Sequence, residues 1–310
     1  MKRKILITGC NGLLGQKLLE QLAFHPLFDL IATAKGQNRS PISEGYVFDT
    51  LDIVNEAQVK TVISKHQPHI IINTAAMTNV DACETEKENC TRANVDAVKF
   101  LVEAANSVGA HFIQLSTDFI FDGLGTGMYD EEAQPNPQSF YAESKLNGER
   151  MVQFFSKKWT IVRTIIVYGV VADMSRSNVI LWVKKNLEEG KKINVVDDQF
   201  RTPTLADDLA RGCILIAEKE AEGIFNISGK DFMSIYALAI SVANFWNLDS
   251  SLISPSKSHT LNQPAKRPPV TGLSILKAQH KLGYNPLSFQ EGLAEVEKQL
   301  RKIGYVNSKD

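Results

Sequence analysis

The fold is decided near the N-terminus, where residues 4–15 read KILITGCNGLLG. Residues 4–8 are almost all apolar or β-branched, which is typical of a strand buried on both faces of a parallel sheet. The glycines Gly9, Gly12 and Gly15 follow directly, and Leu13 opens a helical pattern that continues to Phe24. A glycine turn between a strand and a helix predicts a pyrophosphate site, because backbone N–H groups and the helix N-terminus attract anions there.

The alternation of strand and helix continues through the first half of the chain. Short apolar runs predict further strands at 30–34, 70–74, 111–116 and 160–167, separated by helical patterns at 56–65, 89–108 and 141–155. This order predicts an α/β fold: a doubly wound parallel sheet whose ligand crevice lies beyond the carboxyl ends of the strands.

The pattern loosens after residue 169. We predict helices at 178–189, 206–218, 235–246 and 288–303, strands at 193–196 and 223–227, and a proline-rich connection at 255–269. The economical division is a dinucleotide-binding domain of residues 1–168, with a returning segment near 204–230. Residues 169–203 and 231–310 then form a smaller C-terminal lobe that binds substrate.

Composition excludes several classes of partner. The 310 residues contain 34 Lys plus Arg and 35 Asp plus Glu, so no global positive field attracts nucleic acid or anionic lipid. No apolar stretch approaches the roughly 20 residues that span a bilayer. Four scattered cysteines without a Cys-x-x-Cys pair argue against zinc or a disulfide framework. We expect a cytoplasmic protein with reduced thiols, no metal and a small ligand, with a homodimer as one option.

A tyrosine and a lysine one helical turn apart suggest proton chemistry. Tyr141 and Lys145 share one face of the helix predicted at 141–155. A neighbouring ammonium favours the ionised phenol and is expected to lower its pKa toward neutrality. Upstream, Thr117 follows a core strand, where its hydroxyl can donate a hydrogen bond to a substrate carbonyl while Tyr141 protonates the alkoxide.

The spacing Gly-x-x-Gly-x-x-Gly resembles the extended branch of the short-chain dehydrogenase/reductase superfamily, whose Rossmann domain binds a nicotinamide dinucleotide. The closest likeness is to the dTDP-4-dehydrorhamnose reductase family, and it covers nearly the whole chain. It is carried by residues 73–84, 116–123, 198–199, 203–204, 267–268 and 273–274. The resemblance implies hydride transfer to the C4 ketone of a sugar nucleotide, with Thr117, Tyr141 and Lys145 as the catalytic triad.

Residue pattern and resemblance together give two sets of candidate ligands. The cofactor set contains Gly9, Asn11, Gly12, Leu13, Leu14, Gly15, Lys35, Arg39, Asp52, Ile53, Thr74, Ala75, Ala76, Asn94, Tyr141 and Lys145. The substrate set contains Thr78, Thr117, Asp118, Phe119, Ile166, Arg201 and Arg267.

The loop after the second strand bears on the choice of cofactor. No acid stands between Ala34 and Arg39 to hold the ribose hydroxyl of NAD, whereas Lys35 and Arg39 can pair with the 2'-phosphate of NADP. We therefore expect NADPH or NADH with a weak preference for NADPH. Two solvated loop cations are the alternative.

Departures from the family pattern concern the substrate pocket. Phe119 lacks an aromatic hydroxyl that is usual there, Ile166 replaces a tryptophan, and Arg201 stands where many members have glycine. The same sugar therefore cannot be assumed, because discrimination depends on pairing each buried polar group. Arg201 and Arg267 can each pair with a diphosphate, and we expect one of the two to be structural.

Other functions remain open on the sequence alone. A sugar-nucleotide epimerase is one alternative, and it would retain its nicotinamide through the catalytic cycle. A 4,6-dehydratase is disfavoured, because that relative uses an acidic residue to move protons where this chain has Phe119. A non-enzymatic regulatory subunit resembling the methionine adenosyltransferase β subunit could share the fold and the glycine turn.

Overall fold

The structure is a computed structural model that describes residues 2–125, 127–172 and 178–305. Its strands are β1 Arg3–Thr8, β2 Phe28–Ala34, β3 Tyr46–Thr50, β4 Ile70–Asn73, β5 His111–Thr117, β6 Met128–Tyr129, β7 Trp159–Thr164, β8 Val167–Tyr168, β9 Ile193–Val196, β10 Phe200–Arg201, β11 Thr204–Leu205, β12 Gly223–Asn226, β13 Met233–Ser234, β14 Ile253–Ser256 and β15 Val270–Leu273. Its α-helices are α1 Leu13–Leu22, α2 Glu56–His66, α3 Val80–Thr85, α4 Lys87–Thr91, α5 Ala97–Val108, α6 Phe140–Phe155, α7 Val179–Glu188, α8 Ala206–Lys219, α9 Ile235–Phe245, α10 Leu276–Leu282 and α11 Phe289–Lys302.

The predicted doubly wound sheet is confirmed. Seven strands of the described chain form one parallel sheet in the order β12-β7-β5-β4-β1-β2-β3. Side chains of α1 and α8 pack in the core on one face, and those of α2 and α5 pack on the other. The strand order reverses between β1 and β4, so a crevice opens at their carboxyl ends.

Two strand predictions were wrong in detail. The sequence pattern missed β3, because this short edge strand is only half-buried and lacks a continuous apolar run. The strand predicted at 160–167 ends at Thr164, because Ile166 has a φ of +35° and turns the chain out of the sheet. Val167–Tyr168 then pairs with Thr204–Leu205.

A second region of the fold packs beside the sheet. Its four-stranded sheet has the order β13-β10-β15-β6, and α7, α9 and α11 share one apolar cluster. Two segments differ from the expected division: Met128–Tyr129 joins this smaller sheet, whereas α10 packs in the core of the large one. Residues 173–177 and 306–310 of the expected lobe lie outside the described residues. No helix among the described residues has the length and apolar character needed to cross a bilayer.

A buried ion pair joins α6 to the large sheet. Arg163 of β7 donates from Nε to Glu149 Oε1 at 3.1 Å and from Nη2 to Glu149 Oε2 at 2.8 Å. Both side chains are almost fully buried. This bidentate pair fixes the helix that carries Tyr141 against the strand beside β5.

We predict that Glu149→Gln lowers the free energy of unfolding by about 3–5 kcal/mol, because it leaves the Arg163 guanidinium buried without a counter-charge. Urea denaturation monitored by circular dichroism measures the change. The control is Glu103→Gln, which breaks an exposed pair with Lys99 and is expected to cost less than about 1 kcal/mol. Equal losses in the two variants would contradict the prediction.

Candidate functional site

One large cavity, of about 1120 Å³, lies at the carboxyl ends of the central strands. Most of the residues predicted for cofactor and substrate line it. From the cofactor set these are Gly9, Asn11, Gly12, Leu13, Leu14, Gly15, Lys35, Arg39, Asp52, Ile53, Thr74, Ala75, Ala76, Tyr141 and Lys145, and from the substrate set Thr78, Thr117, Asp118, Phe119 and Ile166.

The glycine turn is shaped by close backbone approach. Gly9 has a φ of +69°, which favours glycine, and its carbonyl oxygen would lie 2.4 Å from a Cβ added at Gly15. Asn11 fixes the turn to the loop after β2, because its side chain accepts from Arg39 N at 2.9 Å and donates to Gln37 O at 2.8 Å. The start of α1 is therefore seated against the cavity, an arrangement that suits a phosphate group.

The cations of the β2 loop lie at the same end of the cavity. The exposed Lys35 ammonium lies 3.0 Å from Asp52 Oδ2. Asp52 therefore offsets part of the positive charge that Lys35 offers to an anion. The sequence analysis predicted both Lys35 and Asp52 as cofactor residues but not their ion pair. The pair depends on the tertiary structure, which brings the loop after β2 next to the segment after β3.

Asn94 supports the cavity wall from behind rather than lining it. Its side chain is buried, accepts from Met77 N at 2.9 Å and donates to Met77 O at 3.0 Å. Its amide nitrogen also donates to Ser144 Oγ at 3.0 Å. Asn94 thus holds the wall segment against α6, and its contact with the cofactor stays a prediction.

Thr117, Tyr141 and Lys145 meet at one end of the cavity. Ser139 caps α6 by accepting from Ala142 N, and this places Tyr141 in the first turn. The buried Lys145 Nζ donates to the carbonyl oxygen of Leu115 at 2.7 Å, which ties α6 to the end of β5. The helix and the strand thereby bring the three side chains to the same wall.

Burial controls the ionisation of Tyr141 and Lys145. It raises the pKa of the Tyr141 phenol above its usual range, and a hydrogen bond with Thr117 only partly offsets this. The net lowering of the Tyr141 pKa that was expected from Lys145 is therefore not found, since desolvation outweighs any effect of the ammonium. Burial also lowers the pKa of Lys145 to about 8, while the nearby Glu149 carboxylate opposes the shift. At neutral pH the phenol carries its proton and most Lys145 side chains are charged.

Three neighbours of the triad define the rest of this end. Asp118 is buried, accepts from Thr271 Oγ1 at 2.5 Å, and has a pKa raised by burial to about 6. The Phe119 ring stands edge-on to Tyr141 with ring centroids 6.0 Å apart. The positive φ of Ile166 strains its backbone, since β-branched residues rarely adopt it.

Neither arginine of the substrate set, Arg201 or Arg267, is among the described residues that line the cavity. Arg201 is fully buried, and its guanidinium donates to the carbonyl oxygens of Phe200, Pro268 and Pro269. Arg267 donates to both carboxylate oxygens of Asp81, at 3.1 and 2.8 Å. Both arginines therefore have structural partners, which are backbone carbonyls for Arg201 and Asp81 for Arg267. The pairing of either arginine with a diphosphate stays a prediction.

The cavity also has apolar walls that the sequence analysis did not single out. Met77, Val80, Ile165, Val167 and Leu209 contribute to it. Their only sequence signal is proximity to the quoted motifs, since an apolar residue at a strand end looks the same whether it faces a core or a ligand.

Comparison with known proteins gives consistent matches. A family model described as RmlD substrate binding domain matches residues 3–302. The chain is 31% identical over 307 residues to the dTDP-4-dehydrorhamnose reductase of Aggregatibacter actinomycetemcomitans, covering 94% of this chain and 98% of that one. It is 32% identical over 261 residues to the methionine adenosyltransferase 2 subunit beta of Xenopus laevis, covering 82% and 75%. The dTDP-4-dehydrorhamnose reductase of Bacillus anthracis, solved in complex with NADP, superposes with a TM-score of 0.86 at 29% identity, covering 96% and 100%.

We predict that Arg201→Met lowers the free energy of unfolding by about 3–5 kcal/mol, because three carbonyl groups lose their donor and Asp118 loses the nearest positive charge. Urea denaturation checks this. The control Arg267→Met removes a partly exposed pair and is expected to cost about 1 kcal/mol or less. A fully stable Arg201→Met variant with a raised substrate KM would instead support the diphosphate role.

Proposed function

The chain belongs to the RmlD substrate binding domain family, and we propose that it is a reductase that transfers a hydride from NADPH or NADH to the C4 carbonyl of a sugar nucleotide. The observation that carries the proposal is one cavity that holds both the glycine turn and Thr117, Tyr141 and Lys145. A nucleotide bound at the glycine turn and a carbonyl bound at Thr117, Tyr141 and Lys145 would use all of these groups together.

The residues at the turn fit a dinucleotide. A Cβ at Gly15 would overlap Gly9 O, so Gly15 permits the close packing of α1 on the turn that directs the helix N-terminus toward a pyrophosphate. When bound, the nicotinamide supplies the hydride. The chain supplies the remaining functions: Lys145 lies where it can hold ribose hydroxyls, and the apolar walls exclude water from the reacting carbonyl.

Proton delivery falls to Tyr141. Its raised pKa keeps the phenol protonated at neutral pH, so a proton is available for the alkoxide oxygen as negative charge develops there. Thr117 Oγ1 can donate a hydrogen bond to the same oxygen and orient it. The Lys145 ammonium favours the phenolate that remains after transfer.

The relatives support the reaction more strongly than the sugar. The Aggregatibacter and Bacillus anthracis proteins are both named dTDP-4-dehydrorhamnose reductases, and the latter binds NADP. We therefore propose a substrate of the dTDP-4-keto-6-deoxysugar type, as in dTDP-L-rhamnose formation. Phe119 and Ile166 would disfavour a sugar with a hydroxyl group at their positions, because both present apolar surface there and offer the hydroxyl no hydrogen-bond partner.

A regulatory subunit is the second candidate, favoured by the Xenopus laevis relative. The test is oxidation of NADPH or NADH, followed by absorbance, against a panel of 4-keto sugar nucleotides. A reductase consumes one cofactor per substrate, whereas an epimerase and a regulatory subunit both give no net oxidation. Nicotinamide cofactor that stays bound through purification then favours the epimerase over the regulatory subunit.

We predict that Tyr141→Phe lowers kcat by about 10²- to 10⁴-fold with little change in cofactor Kd, because it removes only the proton donor. Steady-state kinetics and fluorescence titration of NADPH measure the two effects. The control is Tyr129→Phe, whose hydroxyl bonds Asp122 outside the cavity. Near-normal kcat in Tyr141→Phe would remove Tyr141 from the triad.

The pH profile should reveal Lys145. We expect kcat/KM to fall above about pH 8, where the buried ammonium loses its proton in the free enzyme. Lys145→Arg keeps the positive charge at all accessible pH values, so its residual activity should lack this alkaline limb. An unchanged limb in Lys145→Arg would assign it to another group.

Cofactor preference tests the loop cations. Replacing Lys35 and Arg39 together by Ala should raise the Kd for NADPH relative to that for NADH by about tenfold or more, as expected for charge-assisted hydrogen bonds. Asp52→Asn should change the ratio in the opposite direction, because it releases Lys35 from its ion pair. Titration of both cofactors checks this, and equal Kd changes in all variants would show that the loop does not contact the 2'-phosphate.

A further inference from the structure

Two cysteines lie with their sulfur atoms in contact behind the cavity wall. Cys83 of α3 and Cys90 of α4 have Sγ atoms 2.8 Å apart, and both residues are fully buried. The chain leaves helical geometry at Glu86 between them, which lets the two short helices fold against each other. The proposed reduction uses neither thiol.

We propose that Cys83 and Cys90 are a redox modification site: mild oxidation joins them in a reversible disulfide, and the bond lowers turnover. A disulfide bond is about 2.05 Å long, so the two sulfur atoms need to approach by only about 0.8 Å. Seven residues separate the cysteines in sequence, and the fold already places them side by side.

The thiol pair contacts the helix of the triad through Ser144. Cys90 Sγ lies 3.3 Å from Ser144 Oγ, and Ser144 Oγ donates to the carbonyl oxygen of Tyr141 at 2.7 Å. Asn94 Nδ2 contacts both groups, at 3.4 Å from Cys90 Sγ and 3.0 Å from Ser144 Oγ. Cys83, Cys90 and Tyr141 also share one apolar cluster.

Oxidation changes this network directly. The disulfide removes the Cys90 thiol hydrogen, which Ser144 Oγ can accept, and moves a sulfur atom that Asn94 contacts. Ser144 lies between Tyr141 and Lys145 in the first turns of α6, so a shift of its side chain changes the positions of both. Small displacements of reacting groups are costly in rate.

The chemistry balances with a peroxide as the oxidant. One thiolate sulfur bonds to a peroxide oxygen as the O–O bond breaks, giving a sulfenic acid and, after protonation, water. The second thiol sulfur bonds to the sulfenic sulfur and expels a second water. Two thiols and one peroxide thus give one disulfide and two waters, and a dithiol reverses the bond by exchange.

Burial determines the expected kinetics. It raises the pKa of the Cys83 thiol, so little thiolate is present and oxidation is slow compared with that of an exposed, acidic cysteine. Once one sulfur is oxidised, however, its neighbour is already in contact. Disulfide formation should therefore outcompete further oxidation to sulfinic acid.

The test is oxidation of the full-length protein with hydrogen peroxide, followed by alkylation and peptide mass mapping without reduction. We expect a peptide lighter by two hydrogen atoms in which Cys83 and Cys90 are joined, together with a loss of kcat of about three- to tenfold, the range of one hydrogen bond. Dithiothreitol should restore both thiols and kcat. Peptide mapping needs no substrate, so it tests disulfide formation even if the reductase assay detects no turnover.

Matched variants separate this site from general oxidation. Cys83→Ala keeps the Cys90 contact with Ser144 and should show no loss of kcat that dithiothreitol reverses, with Cys83→Ser as the second variant where Ala does not fold. Cys213 is buried in the core of the large sheet. The Cys213→Ala variant should therefore lose and regain kcat on oxidation and reduction as the wild type does. Alkylation of both thiols after full peroxide treatment, or a joined peptide with unchanged kcat, would overturn the proposal.

Discussion

The buried guanidinium of Arg201 lies where the smaller sheet meets the end of β5. Arg201 Nη1 donates to Phe200 O at 2.8 Å and Pro269 O at 2.9 Å, and its Nε lies 3.7 Å from Asp118 Oδ2. A positive charge without partners is strongly destabilising in such a place. The strand that carries Arg201, the proline segment and the end of β5 therefore have to keep their relative positions. This constraint also positions Thr117, the residue before Asp118.

Burial of Tyr141 and Lys145 determines the acid-base properties of the site. Desolvation disfavours charge, so it moves the Tyr141 pKa upward and the Lys145 pKa downward. Both shifts favour neutral groups, yet only the phenol is neutral at pH 7. An uncharged donor beside a cation suits a reaction in which negative charge appears briefly on an oxygen atom. The fold produces the neutral Tyr141 and the charged Lys145 by burying the first two turns of α6 rather than by adding charges.

Local sequence patterns predicted the sheet and the glycine turn, because each is written in consecutive residues whose spacing follows from strand or helix geometry. They also placed Tyr141 and Lys145 on one helical face, whereas the grouping of Thr117 with these two residues came from the family resemblance. They missed β3, whose half-exposed edge position removes the apolar signal. They also did not predict the buried partners of Arg201 and Asn94. Their partners lie in distant segments, such as Pro268 for Arg201 and Ser144 for Asn94, and no pattern in one segment reports such contacts. The sequence analysis identified Ile166 only as a replacement for a tryptophan, and it did not predict the positive φ of this residue.

The position of β12 in the sheet also affects how the chain is made. β7 ends at Thr164, but its outer neighbour spans Gly223–Asn226, so during synthesis β7 emerges from the ribosome as an open edge with unpaired N–H and C=O groups. The apolar face beneath α1 likewise waits for α8. The edge of β7 therefore stays unpaired until residues 223–226 have left the ribosome, and unpaired edges of this kind favour aggregation.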